Sequence, residues 1–158
     1  MGMSSNPLGE MRERLLAMKA SELGLSPSNS LPNVWGLLFE TGYPEGPVTL
    51  LTLAEGTTSL YLPTGGGVIG AGEHIPVRVA GEALLKTTEF ALPEFSGKDH
   101  SAPPNGVVSF VALTHSGVVC SRALEQSLGN GRAPLSALFF AGQALLSQVR
   151  IASDQSEG

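Results

Sequence analysis

The sequence is short of charged residues. Only 15% of its 158 residues are Asp, Glu, Lys or Arg, against about 25% in a typical soluble chain. The nine Lys and Arg are scattered, and the formal net charge is −5. Because nucleic-acid binding needs a clustered basic surface, we expect no nucleic-acid partner. A chain with so few charges either buries most of its surface or shares that surface with a partner.

Cysteine and long apolar runs are also scarce. Cys120 is the only cysteine, which excludes an internal disulfide and is typical of a reducing compartment. Apolar runs stay well below the roughly 20 residues that span a bilayer. Five charged side chains among the first twenty residues argue against a signal peptide, and Asn6 stands where a myristoylation signal has Ser or Thr. These absences predict a cytoplasmic protein with no lipid anchor and no membrane partner.

Hydrophobic periodicity and turn residues divide the chain into eight elements, which we assign to one domain over residues 1–158. Asn6 and Pro7 begin the first helix as N-cap and first turn, and Gly24 ends it as a left-handed cap. Pro76 and Pro134 begin the second and third helices. Strands are expected at residues 33–41, 48–54, 57–63, 107–114 and 118–125.

The order of elements is therefore helix, three strands, helix, two strands, helix. Short links between consecutive strands predict antiparallel pairing. The fold class is then α+β, with a five-stranded antiparallel sheet and helices. We expect an ordered core over residues 7–151 and a frayed polar tail over residues 153–158.

Both faces of the predicted sheet are apolar. In the strand at 107–114, Val111 and Leu113 alternate with Val108 and Phe110. A half-solvated antiparallel sheet would alternate apolar with polar residues, so something must cover each face. We expect a second copy of the chain to cover part of one face in a two-fold homodimer. The alternative is a monomer whose first helix crosses to the far face.

This element order, spanning Pro7 to Ile151 in a small acidic chain, resembles that of the class I type III secretion chaperones. The resemblance implies a homodimer that binds an extended segment of a partner protein along apolar patches. Roadblock and profilin-like proteins are a second comparison among small dimeric scaffolds, but they place two strands before the central helix and three after it.

The segment LPTGGGVIGAGEHIP, residues 62–76, contains five glycines. Gly65, Gly67 and Gly70 satisfy G-x-G-x-x-G, a pattern whose backbone N–H groups hold a diphosphate at a helix N-terminus. That function needs a parallel βαβ unit, whereas the preceding strand belongs to a hairpin and the helix begins six residues after Gly70. We therefore favour a structural turn, in which glycine permits close backbone approach.

A ligand site remains the alternative interpretation of this segment. The bend GNGRAP also precedes a helix, and Arg132 there could hold a carboxylate or phosphate. If the two bends share one edge of the fold, they form a small-ligand pocket. Its candidate residues are Gly65, Gly66, Gly67, Gly70, Gly72, Glu73, His74, Asn130 and Arg132.

No residue is assigned a catalytic or metal-binding role. Glu73 and His74 could act as an acid–base pair, but adjacent side chains seldom point at one substrate. His74, His100 and His115 lack the spacing of metal ligands, and no cofactor is expected. We interpret Cys120 as a buried apolar residue, and Arg122 is its one basic neighbour on the same face of the strand.

The sequence thus predicts a non-enzymatic, chaperone- or adaptor-like homodimer that binds an unidentified partner protein through apolar surface. The alternative is a small-ligand or nucleotide-binding protein, an enzyme included, that uses the loop at residues 65–74 together with Arg132.

Overall fold

A computed structural model describes residues 7–157 of the chain. Asn6, which we predicted to cap the first helix, lies outside these residues. So does the N-terminal sequence that was compared with a myristoylation signal. The first half of the described chain forms helix α1 (Pro7–Ala17), strands β1 (Val34–Tyr43), β2 (Gly46–Leu53), β3 (Thr58–Tyr61) and β4 (Gly67–Val68), and helix α2 (Ile75–Ala91). The second half forms strands β5 (Val107–Thr114) and β6 (Gly117–Leu124) and helices α3 (Glu125–Gly129) and α4 (Ser136–Glu157).

The strands form one antiparallel sheet in the order β4-β3-β2-β1-β5-β6. The predicted α+β class and antiparallel sheet are confirmed, but the predicted number of five strands is wrong. The sixth strand, β4, lies inside the glycine-rich segment and pairs Gly67 with Tyr61 and Val68 with Leu60. Two residues, one of them glycine, are too few to give a periodic signal.

The C-terminal part of the chain contains more helix than the sequence predicts. α3 occupies residues that we assigned to the end of a strand and to a glycine-rich bend. α4 begins at Ser136 rather than Pro134 and continues through Glu157, so the residues predicted to fray from Ser153 are helical. The helix persists there because Val149 and Ala152 still face the core and are buried.

The first helix is also divided differently from the prediction. α1 ends at Ala17, and a separate 3₁₀ turn follows at Ala20–Leu23. Gly24 ends that turn in the left-handed conformation, with φ 72°, as predicted for this cap. The N–H of Leu25 donates to the Ala20 carbonyl across the cap at 3.0 Å.

Helices cover both faces of the sheet. On the first face, α2 and α4 pack against each other and over the side chains of Phe39, Val108 and Phe110. On the second face, α1 and the 3₁₀ turn contribute Leu15 and Ala20 to a separate cluster with residues Trp35, Leu38, Leu51, Leu53, Val111, Leu113 and Cys120. The first helix therefore crosses to the far face, which is the arrangement left open as the alternative to a shared face. A homodimer is not needed to cover this side of the sheet.

None of the helices found between Pro7 and Glu157 has both the length and the apolar character needed to cross a membrane.

We expect Gly142→Ala to destabilise the protein. A Cβ at Gly142 would lie 2.6–2.9 Å from ring atoms of Phe39, and that ring is stacked on Phe110 at 5.5 Å. Overpacking costs about 1–3 kcal/mol, which exceeds or cancels the roughly 1 kcal/mol that alanine contributes to helix propensity. Urea unfolding should show a loss of about 1 kcal/mol. The exposed exchange Ser147→Ala in the same helix should not destabilise, and a gain in stability for Gly142→Ala would contradict the packing of α4 on β1.

We expect Glu89→Gln to reduce the acid sensitivity of the fold. Burial opposes ionisation of the Glu89 carboxylate and alone would raise its pKa. The carboxylate accepts hydrogen bonds from the Val34 N–H and from the N–H and side chain of Asn33. These bonds outweigh the effect of burial, so the pKa of Glu89 is lowered. Because the folded-state pKa lies below the unfolded value of about 4.3, ionised Glu89 stabilises the fold above that pH and loses this contribution in stronger acid.

Urea midpoints measured from pH 7 to pH 3 should therefore be lower for Glu89→Gln at neutral pH and should converge with wild type toward pH 3. A constant difference at every pH would contradict this role of Glu89.

Candidate functional site

The glycine-rich segment forms a hairpin turn and a helix entry. Leu62 N–H donates to the Gly66 carbonyl at 2.8 Å, which reverses the chain into β4. A Cβ at Gly67 would overlap the Leu60 carbonyl oxygen, and one at Gly72 would overlap that of Gly56. The close backbone approach expected of a structural turn is therefore present at both positions.

A cavity of about 290 Å³ lies beside this segment, next to the turn between β2 and β3. Its walls include backbone of Gly56, Gly70 and Gly72 and the side chains of Glu55, Glu73 and Arg78. Arg78 is thus the basic residue beside the glycines, and it donates to the Gly72 carbonyl at 3.2 and 3.3 Å. Two carboxylates against one guanidinium disfavour a phosphate in this cavity.

Other predicted ligand residues lie around the cavity or away from it. His74 is half-buried at the N-cap position of α2, without a side-chain capping bond. Gly65 and Gly66 line a different cavity, of about 370 Å³, together with Leu8 and Tyr61.

Asn130 and Arg132 do not join these residues. Both are exposed, and they follow β6 and α3, whereas the glycine-rich segment surrounds β4 at the opposite edge of the sheet. Neither cavity beside the glycines contains a residue of the 130–132 bend. The structure therefore brings the glycines together with Glu73 but does not bring Arg132 to them.

The remaining histidines and the cysteine are separated as well. His100 is exposed, and His115 lies at the turn from β5 to β6. Within residues 7–157, no three His, Cys, Asp or Glu side chains are placed to share a metal ion. Burial raises the pKa of the Cys120 thiol, and the charge of Arg122 opposes this only in part. Cys120 is therefore a buried apolar residue, as predicted.

A row of polar side chains that was not predicted from the sequence crosses the second face of the sheet. Thr49 on β2, Glu40 on β1, Ser109 on β5 and Arg122 on β6 are direct neighbours in register. Glu40 is 0% exposed. A carboxylate in the centre of an apolar strand was the one visible signal, since ionised groups are seldom fully buried without a partner.

Arg12 of α1 is the cation that compensates Glu40. Its Nε lies 3.0 Å from Glu40 Oε2 and its Nη2 lies 2.7 Å from Glu40 Oε1, so the ion pair is bidentate. Thr49 Oγ1 donates to Oε2 at 2.8 Å. The hydrogen bonds to Glu40 raise the pKa of Arg12 against the opposing effect of burial, so the guanidinium stays charged. The Arg12 side chain is 12% exposed and the Glu40 side chain is 0% exposed, so both partners are largely removed from solvent. The ion pair links α1 to the sheet.

Arg122 continues the row at the edge strand. Its Nη2 donates to the Ser101 carbonyl, and its Nη1 lies 3.7 Å from an Asp99 carboxylate oxygen. Arg12 also donates to the His100 carbonyl, at 2.5 Å. The two arginines therefore hold residues 99–101 against the second face. Within the described residues, Ser109 Oγ and Arg122 Nε are buried without a hydrogen-bond partner.

No protein-family model, curated protein or solved structure matches the chain. The resemblance to type III secretion chaperones stays a prediction. The function is therefore inferred from the residues of this chain alone.

Removing one member of the Arg12–Glu40 pair should destabilise the protein more than removing both. Arg12→Met leaves a buried carboxylate with Thr49 as its remaining contact, and breaking such a pair costs about 3 kcal/mol or more. Adding Glu40→Gln removes the uncompensated charge and should recover part of the loss. Urea unfolding of the two single variants and the double variant measures the coupling between the side chains.

Arg14→Met is the matched control, because Arg14 is exposed on the same helix; its effect should stay within about 0.5 kcal/mol. Additive single effects of Arg12→Met and Glu40→Gln would show that the pair does not hold α1.

Proposed function

We propose that the chain is a non-enzymatic interaction protein, chaperone- or adaptor-like, that forms a homodimer and binds a partner protein through apolar surface. The supporting observation is an apolar stripe on the outer side of each long helix. Five of the large apolar side chains that are exposed lie on α2 or α4: Ile75, Val79, Phe90, Phe140 and Ile151.

The stripe on α2 includes residues from both ends of the helix. Ile75, Val79, Ala83 and Phe90 recur at four- and seven-residue intervals, so they share one side of the helix. The exposed Lys86 lies on the same side, between Ala83 and Phe90. Phe90 is 89% exposed. The opposite side buries Val77, Leu84 and Leu85 against the sheet. α2 therefore carries large apolar side chains on both sides, beside exposed charged residues on the outer one.

The stripe on α4 has the same character. Phe140, Ala144 and Ile151 are exposed on one side, while Leu145 and Val149 are buried on the other. Because α2 and α4 pack against each other on one sheet face, both stripes point away from the sheet. Exposed apolar surface of this kind is typical of interaction sites, and the two helices could present it to a second copy related by a two-fold axis.

A cytoplasmic location belongs to the same proposal. Cys120 is a free, buried thiol, which suits a reducing compartment. The ligand-binding alternative is less well supported, because Arg132 lies apart from the glycines and the cavity beside them carries two carboxylates.

The stripes should determine the oligomeric state. In analytical ultracentrifugation, wild-type protein should sediment at twice the chain mass of 16.3 kDa. The double variant Val79→Glu with Phe140→Glu should sediment as a monomer, because each exchange places a carboxylate in the proposed interface.

The control is Ile69→Glu with Leu124→Glu, since both side chains are exposed but lie outside α2 and α4. It should remain dimeric. A wild-type chain that stays monomeric at its highest soluble concentration would remove the dimer from the proposal.

A further inference from the structure

We propose that α1 is an exchangeable cover, and that the sheet face beneath it is a second docking site. Its occupant is an amphipathic helix of a partner protein that carries a basic residue at the position of Arg12. This site lies on the opposite side of the sheet from the α2 and α4 stripes, so it does not depend on the homodimer proposed above.

Few side chains of the segment that covers this face are fully buried. Among its residues from Leu8 to Leu25, the buried apolar ones are Leu15 of α1 and Ala20 of the 3₁₀ turn. The partly buried residues that pack beside them are Met11, Leu16, Met18, Leu23 and Leu25. α1 has 11 residues, and isolated helices shorter than about 12–15 residues are marginal in water. We infer that α1 is helical because it is docked, so that leaving the sheet and unfolding are one local event.

The connection between α1 and the sheet is exposed and irregular. After the 3₁₀ turn and Gly24, residues 26–30 are all exposed and contain Ser, Pro and Asn. β1 begins only at Val34. This segment can change conformation without disturbing a strand, so α1 can leave while the sheet remains paired.

The sheet face that α1 covers is largely apolar and is crossed by one row of polar side chains. Trp35, Leu38 and Leu51 belong to the apolar cluster there, and Glu40 places one carboxylate beside them. An apolar helix without a cation would leave that carboxylate buried and unpaired, at a large cost. The face therefore selects helices that combine an apolar stripe with Arg or Lys.

With α1 in place, one buried hydroxyl group of this face has no hydrogen-bond partner among the described residues. Ser109 is 0% exposed and is Glu40's neighbour in register, yet its Oγ has no partner among the described residues. A buried hydroxyl without a hydrogen bond is unfavourable. A partner helix with a polar side chain beside its basic residue would satisfy Ser109 and could displace α1.

A labelled peptide with the sequence of residues 5–19 is the probe. Fluorescence anisotropy should show that it binds the full-length Arg12→Met chain about tenfold or more tightly than the wild-type chain. The peptide supplies the guanidinium that the chain's own helix has lost, whereas wild-type α1 competes from within the same molecule. The Arg14→Met chain should behave as wild type.

A second peptide, with Met in place of the residue corresponding to Arg12, tests the charge requirement. It should bind neither chain measurably. Equal binding of the two peptides, or no binding of either to the Arg12→Met chain, would overturn the proposal. The chain could instead form a dimer in which each α1 covers the sheet of the other copy. The first peptide would then dissociate this dimer. That result would assign the face to a second copy of the chain and would overturn the proposal of a partner protein.

Hydrogen exchange of the unmodified chain decides the case if Arg12→Met fails to fold. Amides of α1 should exchange by local opening, faster than amides of β1 and β5, whose hydrogen bonds lie in the centre of the sheet. Protection of α1 equal to that of β1 would mean that the helix leaves only on global unfolding, and the proposal would fail.

Discussion

The need to compensate a buried carboxylate determines how the second face of this protein is built. Glu40 lies in the central strand of the sheet with no exposure to solvent. Its charge is matched by Arg12, which is contributed by a helix outside the sheet. That ion pair fixes where α1 lies, and with α1 in place the apolar side chains of the second face are shielded. The same arginine holds His100, so the long loop before β5 depends on it too.

The two faces of the sheet are therefore covered in different ways. On the first face, α2 and α4 are long, packed on each other and buried along most of one side. On the second face, a short helix and a 3₁₀ turn are held by one buried ion pair and by contacts with a smaller apolar cluster. The outer sides of the helices on the first face carry exposed apolar side chains.

Local features of the sequence predicted the regular elements well. β5 was predicted to the residue at 107–114, because apolar residues continue between a glycine-containing loop and a His-Ser-Gly turn. The sharp turn in the glycine-rich segment also followed from residue type. β4 was missed because pairing of two residues depends on the neighbouring strand rather than on a pattern of its own.

The polar row was beyond sequence reasoning for a different reason. Glu40 and Arg122 are 82 residues apart and share one row only because β5 lies between their strands. Strand order and register decide such neighbours, and neither is encoded locally. Arg12 counted in the sequence only as one of the five charged side chains that argue against a signal peptide. The homodimer was predicted from two apolar faces, but the first helix of the same chain covers one of them.

The most direct test of this account uses the one tryptophan of the chain. Trp35 is buried on the second face, with its indole N–H donating to the Thr114 carbonyl at 3.1 Å. Acrylamide quenching of its fluorescence should be weak in the wild-type protein. It should rise strongly in Arg12→Met, while far-UV circular dichroism shows a loss of helix no larger than the 11 residues of α1. Equal quenching in the two proteins would contradict the claim that Arg12 and Glu40 keep α1 over the sheet.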